Sequence, residues 1–348
     1  MAEFHRLRVA DVVPETPDAV SVVFTVPPEL ARRYAYRPGQ FLTLRIPGPG
    51  GSSLARCYSL SSSPGQGDEL RVTVKRVAEG PGSNWICDNL IPGAELDTLP
   101  PAGTFTPRSL DEDLLLVAAG SGITPVLSIL RAALRLGRGR VALLYANRDE
   151  RSVIFAEELR QLVAAHPDRL VVVHWLESVQ GLPGRAQLVE LVRPFAGREV
   201  FLCGPTAFME QVSHALRELG VSRKRLHIER FVSLTEDPFG PAAAEAAARP
   251  SRPEDRAESS VEVELDGERR ALRWPAGTKL LDLLRDSGLD APFSCREGAC
   301  GACACRVTAG EVKMLRNEVL DQTDLDDGYV LACQSLPVTD SVSVTYDE

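Results

Sequence analysis

No run of apolar residues in the sequence reaches the roughly 18 that a helix needs to cross a bilayer, so a membrane role is not expected. The first residues, MAEFHRLRVADVV, lack a basic segment, an apolar block and a small-residue cleavage site, which argues against a secretory signal and for a cytoplasmic protein. An excess of positive charge is also missing. Lys and Arg number 39 against 48 Asp and Glu, a formal net charge of −9, which leaves nucleic acid without an electrostatic footprint to bind. Histidine is scarce, and the five (His5, His166, His174, His214 and His227) are too scattered to suggest a ligand cluster.

What is present fills two or three domains: 348 residues, 44% hydrophobic and 25% charged, with no bias towards an unusual class. From about Arg6 to Phe105, short β-rich runs such as AVSVVFTVP, QFLTLRIPG and ELRVTVKRV are separated by Pro, Gly and Ser, which predicts an antiparallel β-barrel or sandwich. From about Asp113 the texture changes. DLLLVAAG, RVALLYANR, LVVVHWLES and REVFLCGP alternate with the amphipathic stretches ITPVLSILRAALRLG, FAEELRQLVAAH and TAFMEQVSHALRELG, predicting an α/β domain with a parallel sheet. DPFGPAAAEAAARPSRPEDRAESS has little that can form a core and reads as a linker. Strand VEVELDG and helix TKLLDLLRDSG then open a last domain. The expected boundaries are 1–107, 108–231, a linker at 232–258, and 259–348. Residues 261–348 carry 17 acidic against 9 basic residues, either a face that steers a basic protein partner or an ordinary solvated surface.

Eight cysteines in a reducing compartment point to metal or redox chemistry rather than to disulfides. Cys295, Cys300 and Cys303 form a C-x4-C-x2-C run in CREGACGAC, and Cys333 follows in LACQS, the spacing by which four thiolates hold a [2Fe-2S] cluster. Structural zinc is the alternative, although zinc sites usually pair two short knuckles instead of placing three ligands in one loop. Cys305 is expected to be a core side chain.

Two further regions suit phosphates and a flat ring. Arg56, Tyr58 and Ser59 make an R-x-Y-S motif, offering a guanidinium for phosphate, a ring to cover a conjugated system and a hydroxyl for a flavin nitrogen. Surface ion pairing of Arg56 and barrel packing of Tyr58 are the competing readings. Gly82 and Ser83 open a short helix, NWICDNL, whose free N–H groups suit a pyrophosphate, and Val74 and Lys75 lead into that turn. Two phosphate elements favour FAD over FMN. In AAGSGITP, Gly120, Gly122 and Thr124 follow a strand and open a helix, and Cys203, Gly204 and Pro205 end another strand in the same manner, a pair suited to a nicotinamide dinucleotide.

R-x-Y-S followed by the Gly-Ser turn and an α/β domain resembles the ferredoxin-NADP reductase family over about residues 4–231, and residues 259–348 look like a plant-type ferredoxin. The resemblance implies a FAD-binding barrel, an NAD(P)H domain and a β-grasp-like ferredoxin domain. It also implies that Cys203 lies beside the nicotinamide and that Phe231, in IERF, is the aromatic residue covering the flavin. The domain order is similar to that of reductase components of bacterial multicomponent oxygenases, particularly those of 3-ketosteroid 9α-hydroxylase and phenylacetyl-CoA epoxidase. That implies electron flow from NADH, with NADPH as the alternative, through FAD and [2Fe-2S] to a separate terminal iron oxygenase. A free-standing NAD(P)H oxidase or quinone reductase and a redox-sensing interaction module are the competing functions.

Overall fold

The structure, a computed structural model, describes residues 4–65, 69–234, 238–239, 258–320 and 322–347. Six strands build the first domain: β1 (His5–Thr16), β2 (Ala19–Thr25), β3 (Phe41–Pro47), β4 (Ser53–Ser59), β5 (Glu69–Lys75) and β6 (Glu95–Thr98). They form one antiparallel sheet in the order β4-β3-β6-β1-β2-β5, and a bridge from Leu60 to Val72 draws its two edges together into a barrel. Period-two alternation sends Leu7, Val22, Phe24, Leu42, Leu44, Ile46, Val72 and Val74 into the barrel core. Helix α1 (Pro81–Asn89) buries Ile86 against that core.

The second domain is a parallel sheet of β7 (Leu114–Ala119), β8 (Val141–Asn147), β9 (Leu170–Leu176), β10 (Glu199–Cys203) and β11 (Leu226–Glu229), in the order β11-β10-β7-β8-β9. Its central strand LLLVAA is buried at every position, as a strand covered on both faces must be. Leu114, Leu116 and Ala118 pack with α2 (Ile123–Leu136) and α3 (Ala156–Ala165), whereas Leu115 and Val117 pack with residues from Arg185–Val192 and Thr206–Glu218 on the other face. Strand order reverses between β7 and β10, so the segments after these strands flank the crevice where sheets of this kind bind ligands. Arg71 of the barrel reaches Glu158 of the second domain at 3.2 Å, and Ser128 Oγ donates to the Ser62 carbonyl at 2.6 Å, joining the first two domains.

The third domain holds a mixed sheet around β12 (Ser259–Leu265), β13 (Glu268–Trp274), β14 (Ala304–Ala309), a short strand at Tyr329–Leu331 and the last strand, Ser341–Thr345, which runs parallel to β12. Helix Leu280–Asp286 covers it, with Trp274, Leu280, Leu281 and Leu284 at the centre of the core. This is the expected succession of antiparallel barrel, parallel α/β sheet and α+β ferredoxin-like sheet. Of the expected linker, 235–237 and 240–257 lie outside the described residues. Two described residues within it depart from a segment without core: Leu234 and Phe239 are buried against Ala55 and Leu99 of the barrel, and Phe239 meets Phe4 edge-on at 5.6 Å.

The crevice leaves no room at Gly122, where an added Cβ would stand 2.1 Å from the Cys203 carbonyl oxygen. Gly122→Ala is therefore expected to destabilise the protein by about 1–3 kcal/mol through overpacking. Gly197→Ala, where nothing lies within 4 Å of the new atom, is expected to be near neutral; thermal unfolding of both variants checks the contrast.

Candidate functional site

Three cysteines of the long loop and one of a remote turn come together in the third domain. Cys295, Cys303 and Cys333 are almost fully buried and Cys300 is partly so. The amides of Ala299, Cys295 and Cys333 donate to the sulfurs of Cys295, Cys300 and Cys303, each at 3.4 Å, and Gln334 Nε2 lies 3.8 Å from Cys333 Sγ. Gly298 lets the loop close: its φ is +81°, and a Cβ there would come within 2.7 Å of the Arg316 carbonyl oxygen. Contact with Cys300 and then Cys333 lowers the Cys295 thiol, whereas contact with Cys295 and burial raise Cys300, and contact with Cys295 and Cys303 raises Cys333. Neighbouring buried thiols that cannot all ionise together are a donor set awaiting positive charge. Among the described residues no three His, Cys, Asp or Glu side chains are grouped to hold a single ion. The sulfurs instead touch in a chain, Cys300 to Cys295 to Cys333 to Cys303, a row of four donors suited to a cluster of more than one iron. Cys305 is buried beside Tyr346 and outside the set, as expected of a core side chain.

On β4, alternation gives Arg56 and Tyr58 one face of the strand and Ala55 and Cys57 the other. Tyr58 packs on the barrel core, and burial raises its phenol. Gly82, in the first turn of α1, backs onto this pair: a Cβ there would sit 3.1 Å from Arg56 Cγ and 3.6 Å from the Tyr58 hydroxyl. Ser83 Oγ accepts from the Val77 amide at 3.1 Å and donates to the Gly80 carbonyl at 3.2 Å, which shapes the turn at the helix start. Arg56 Nη1 donates to the carbonyls of Ala55 and Leu234, at 2.7 and 3.1 Å. A guanidinium, an aromatic ring and helix-start amides thus share one cradle, a set that fits the ring and pyrophosphate of FAD. Val74 points its side chain into the barrel core, leaving only its backbone for a ligand. Lys75 Nζ is 3.8 Å from Asp18 Oδ2 and close to Gly120, and burial lowers its pKa.

At the switch point, Thr124 Oγ1 donates to the Ser121 carbonyl at 3.0 Å, Gly204 packs on Ala119, and Pro205 precedes the helix Thr206–Glu218. Cys203 is buried, its thiol raised by loss of solvation. Glu229, its register partner on β11, is a residue whose role the sequence motifs left open. It is only partly buried by area, yet desolvation of its carboxyl, opposed by Arg230, raises it to about 8. Phe231 is 50% exposed. A small cavity lined by Cys57, Ser59, Glu229, Phe231, Ala299 and Cys300 joins all three domains at this point. Cys57 is the least expected member. It is the x of R-x-Y-S, on the face of β4 turned to the cysteine loop, and burial, eased by a contact with Thr43, pushes its thiol up to about 12.

Comparison with known proteins agrees with this division. An oxidoreductase FAD-binding domain matches residues 7–106, an oxidoreductase NAD-binding domain matches 116–214, and a 2Fe-2S iron-sulfur cluster binding domain matches 263–338. The ferredoxin reductase component of 3-ketosteroid-9-alpha-monooxygenase from Rhodococcus rhodochrous is 54% identical, over 98% of this chain and 96% of its own. A component of the 1,2-phenylacetyl-CoA epoxidase of Escherichia coli is 33% identical, over 100% and 99%. Among solved structures, phthalate dioxygenase reductase shares the fold, with a TM-score of 0.57 at 24% identity over 98% of both chains.

Cys333→Ser is expected to lose the visible absorption and the rhombic EPR signal of a reduced [2Fe-2S] centre together with most of its iron, while Cys305→Ala keeps all three; iron and sulfide analysis decides. A second expectation concerns pH. Glu229 in the folded chain holds its proton up to about pH 8 against an ordinary value of 4.5, so between those limits the folded state binds more protons than the unfolded and loses stability as pH rises. Glu229→Gln should therefore flatten the fall in thermal midpoint across that window; an unchanged slope would show that the carboxyl is not desolvated.

Proposed function

Since this chain belongs to the ferredoxin reductases of multicomponent monooxygenases, enzymes that combine FAD, a nicotinamide domain and a [2Fe-2S] cluster, we propose that it supplies electrons to the terminal iron oxygenase of a 3-ketosteroid 9α-monooxygenase. The observation that carries the reading is the seating of the cysteine loop on the strand that bears the R-x-Y-S motif, beside the nicotinamide crevice. The steroid system is favoured because identity to its reductase is far higher than to the epoxidase component. None of the eight cysteines is joined in a disulfide, in keeping with a reducing, cytoplasmic setting.

In this reading Arg56 and the amides around Gly82 and Ser83 bind the FAD pyrophosphate, Tyr58 covers the ring system, and Ser59 presents its hydroxyl to the ring edge. FAD held there would supply the chemistry that links a two-electron hydride donor to a one-electron cluster. Gly120, Gly122 and Thr124 shape the turn that receives the dinucleotide, and Gly204 and Pro205 complete its floor. Cys203 and protonated Glu229 border the nicotinamide position, and Phe231 yields to admit it. Cys295, Cys300, Cys303 and Cys333 hold the irons. No proton has to be moved for hydride transfer, so the work of these side chains is orientation and exclusion of water.

NADH is the proposed donor. Of the two arginines following β8, Arg148 is paired with Asp18 of the barrel at 2.7 Å, which offsets the charge it can offer to a 2′-phosphate. The decisive experiment combines the purified holoprotein with a 3-ketosteroid oxygenase, steroid and NADH. Hydroxylated steroid is expected in step with NADH consumed, and kcat/KM is expected to favour NADH over NADPH by about tenfold, or 1.4 kcal/mol of transition-state discrimination. Rapid NADH turnover with oxygen or a quinone alone, and none through the oxygenase, would make the chain a free-standing oxidase or quinone reductase.

A further inference from the structure

A hydrogen bond between two hydroxyls 251 positions apart in sequence joins the barrel to the cysteine loop: Thr43 Oγ1 and Ser294 Oγ stand 2.6 Å apart. Thr43 is 0% and Ser294 1% exposed. Thr43 lies on β3 directly opposite Cys57 of β4, and its oxygen is also 3.4 Å from Cys57 Sγ. Ser294 immediately precedes the ligand Cys295. Around the pair the contact is otherwise apolar, with Ala55, Leu99 and Ala299 on one side and Phe41, Ala102 and Ala302 on the other.

The position of Thr43 is unusual for its strand. Leu42, Leu44 and Ile46 point into the barrel core, which sets Thr43 on the outer face, where the cysteine loop covers it. A barrel on its own needs no burial of this hydroxyl; only the docked third domain removes it from water. A buried hydroxyl costs little when paired and much when not. Any slip of the loop along β3 strands the Ser294 hydroxyl and leaves that of Thr43 only the weak thiol of Cys57, so the pair penalises every seating but one while adding little net stability to the correct one.

We propose that Thr43 and Ser294 are positioning residues for electron transfer from the flavin to the cluster, a paired latch that fixes Cys295 against the R-x-Y-S strand. The transfer so positioned would move one electron from the reduced flavin to one of the two ferric ions of a [2Fe-2S] cluster held by the four thiolates, the nicotinamide having supplied the pair. The inference rests on the flavin and cluster sites and not on the identity of the oxygenase.

Stopped-flow reduction of the holoprotein by NADH separates the two steps, flavin bleaching and then cluster reduction, and hydrogen exchange of the oxidised holoprotein reports the seating without turnover. Flavin, iron and sulfide contents of each preparation are measured first, so that missing cofactors are recognised as failure of the cofactor reading and not of this one. Thr43→Val, which strands the Ser294 hydroxyl, is expected to slow cluster reduction on the order of tenfold. Flavin reduction should stay within about twofold, and exchange should rise in both segments 41–47 and 292–303. Thr43→Ser should behave as wild type, and Thr43→Val combined with Ser294→Ala should recover most of the rate, since removing both hydroxyls leaves none unpaired. Cluster reduction unaffected by Thr43→Val, equal slowing of both steps, or a double variant worse than either single one would overturn the latch.

Discussion

Four thiols must be gathered in a place from which water is largely excluded, and the rest of the molecule is arranged around that demand. Neighbouring sulfurs resist joint ionisation, as the opposite displacements of Cys295 and of Cys300 and Cys333 display. Backbone N–H donors, two from the loop and one from Cys333, ease the charge on three sulfurs, and irons bound between them would ease it further. Loop residues turned inward to serve the sulfurs leave small side chains, Ala299 and Ala302, on the outer surface. That surface is flat enough for the barrel to come close. The compactness that shields the cluster is thus also what brings it next to the flavin motif.

The nicotinamide side obeys a different constraint. A dinucleotide needs backbone within reach, and the reversal of strand order between β7 and β10 supplies a crevice in which two glycine turns back onto one another. The ionic contact of Arg71 with Glu158 ties this domain to the barrel, and Arg131 of α2 braces the same carboxylate from within the domain. Glu229 then borders it from β11, next to Cys203, with its carboxyl raised by desolvation to about 8.

Much of this was legible in the residues because the signals were local. Continuous apolar runs such as DLLLVAAG suit strands covered on both faces, and the C-x4-C-x2-C spacing followed by a distant cysteine singles out four thiols that the structure gathers together. Weakly patterned elements escaped. β13, ERRALRW, is mostly exposed and has little apolar alternation to mark it as a strand, and the helix Arg185–Val192 is short with little stripe to reveal it. Val74 was expected near a ligand and lies in the core, since a motif says which strand matters but not which way each side chain points. Leu234 and Phe239 looked like solitary apolar residues in a polar linker, and only the tertiary fold provides the groove they fill. Thr43, Cys57 and Ser294 carried no signal at all. Their meaning depends on a meeting of two domains that no spacing along the chain records.

The two faces of β4 have an architectural consequence. Arg56 and Tyr58 look towards the cradle suited to FAD, while Ala55 and Cys57 look towards the cysteine loop, so a single extended segment forms a common wall between the two proposed redox sites. A wall one strand thick can neither be lengthened nor shifted by one position without each tenant facing the wrong room. Domains that have separate cores and separate sheets are in this way bound to a shared lineage of change: whatever alters the register of seven residues in the barrel alters the neighbourhood of a metal centre more than 230 positions away.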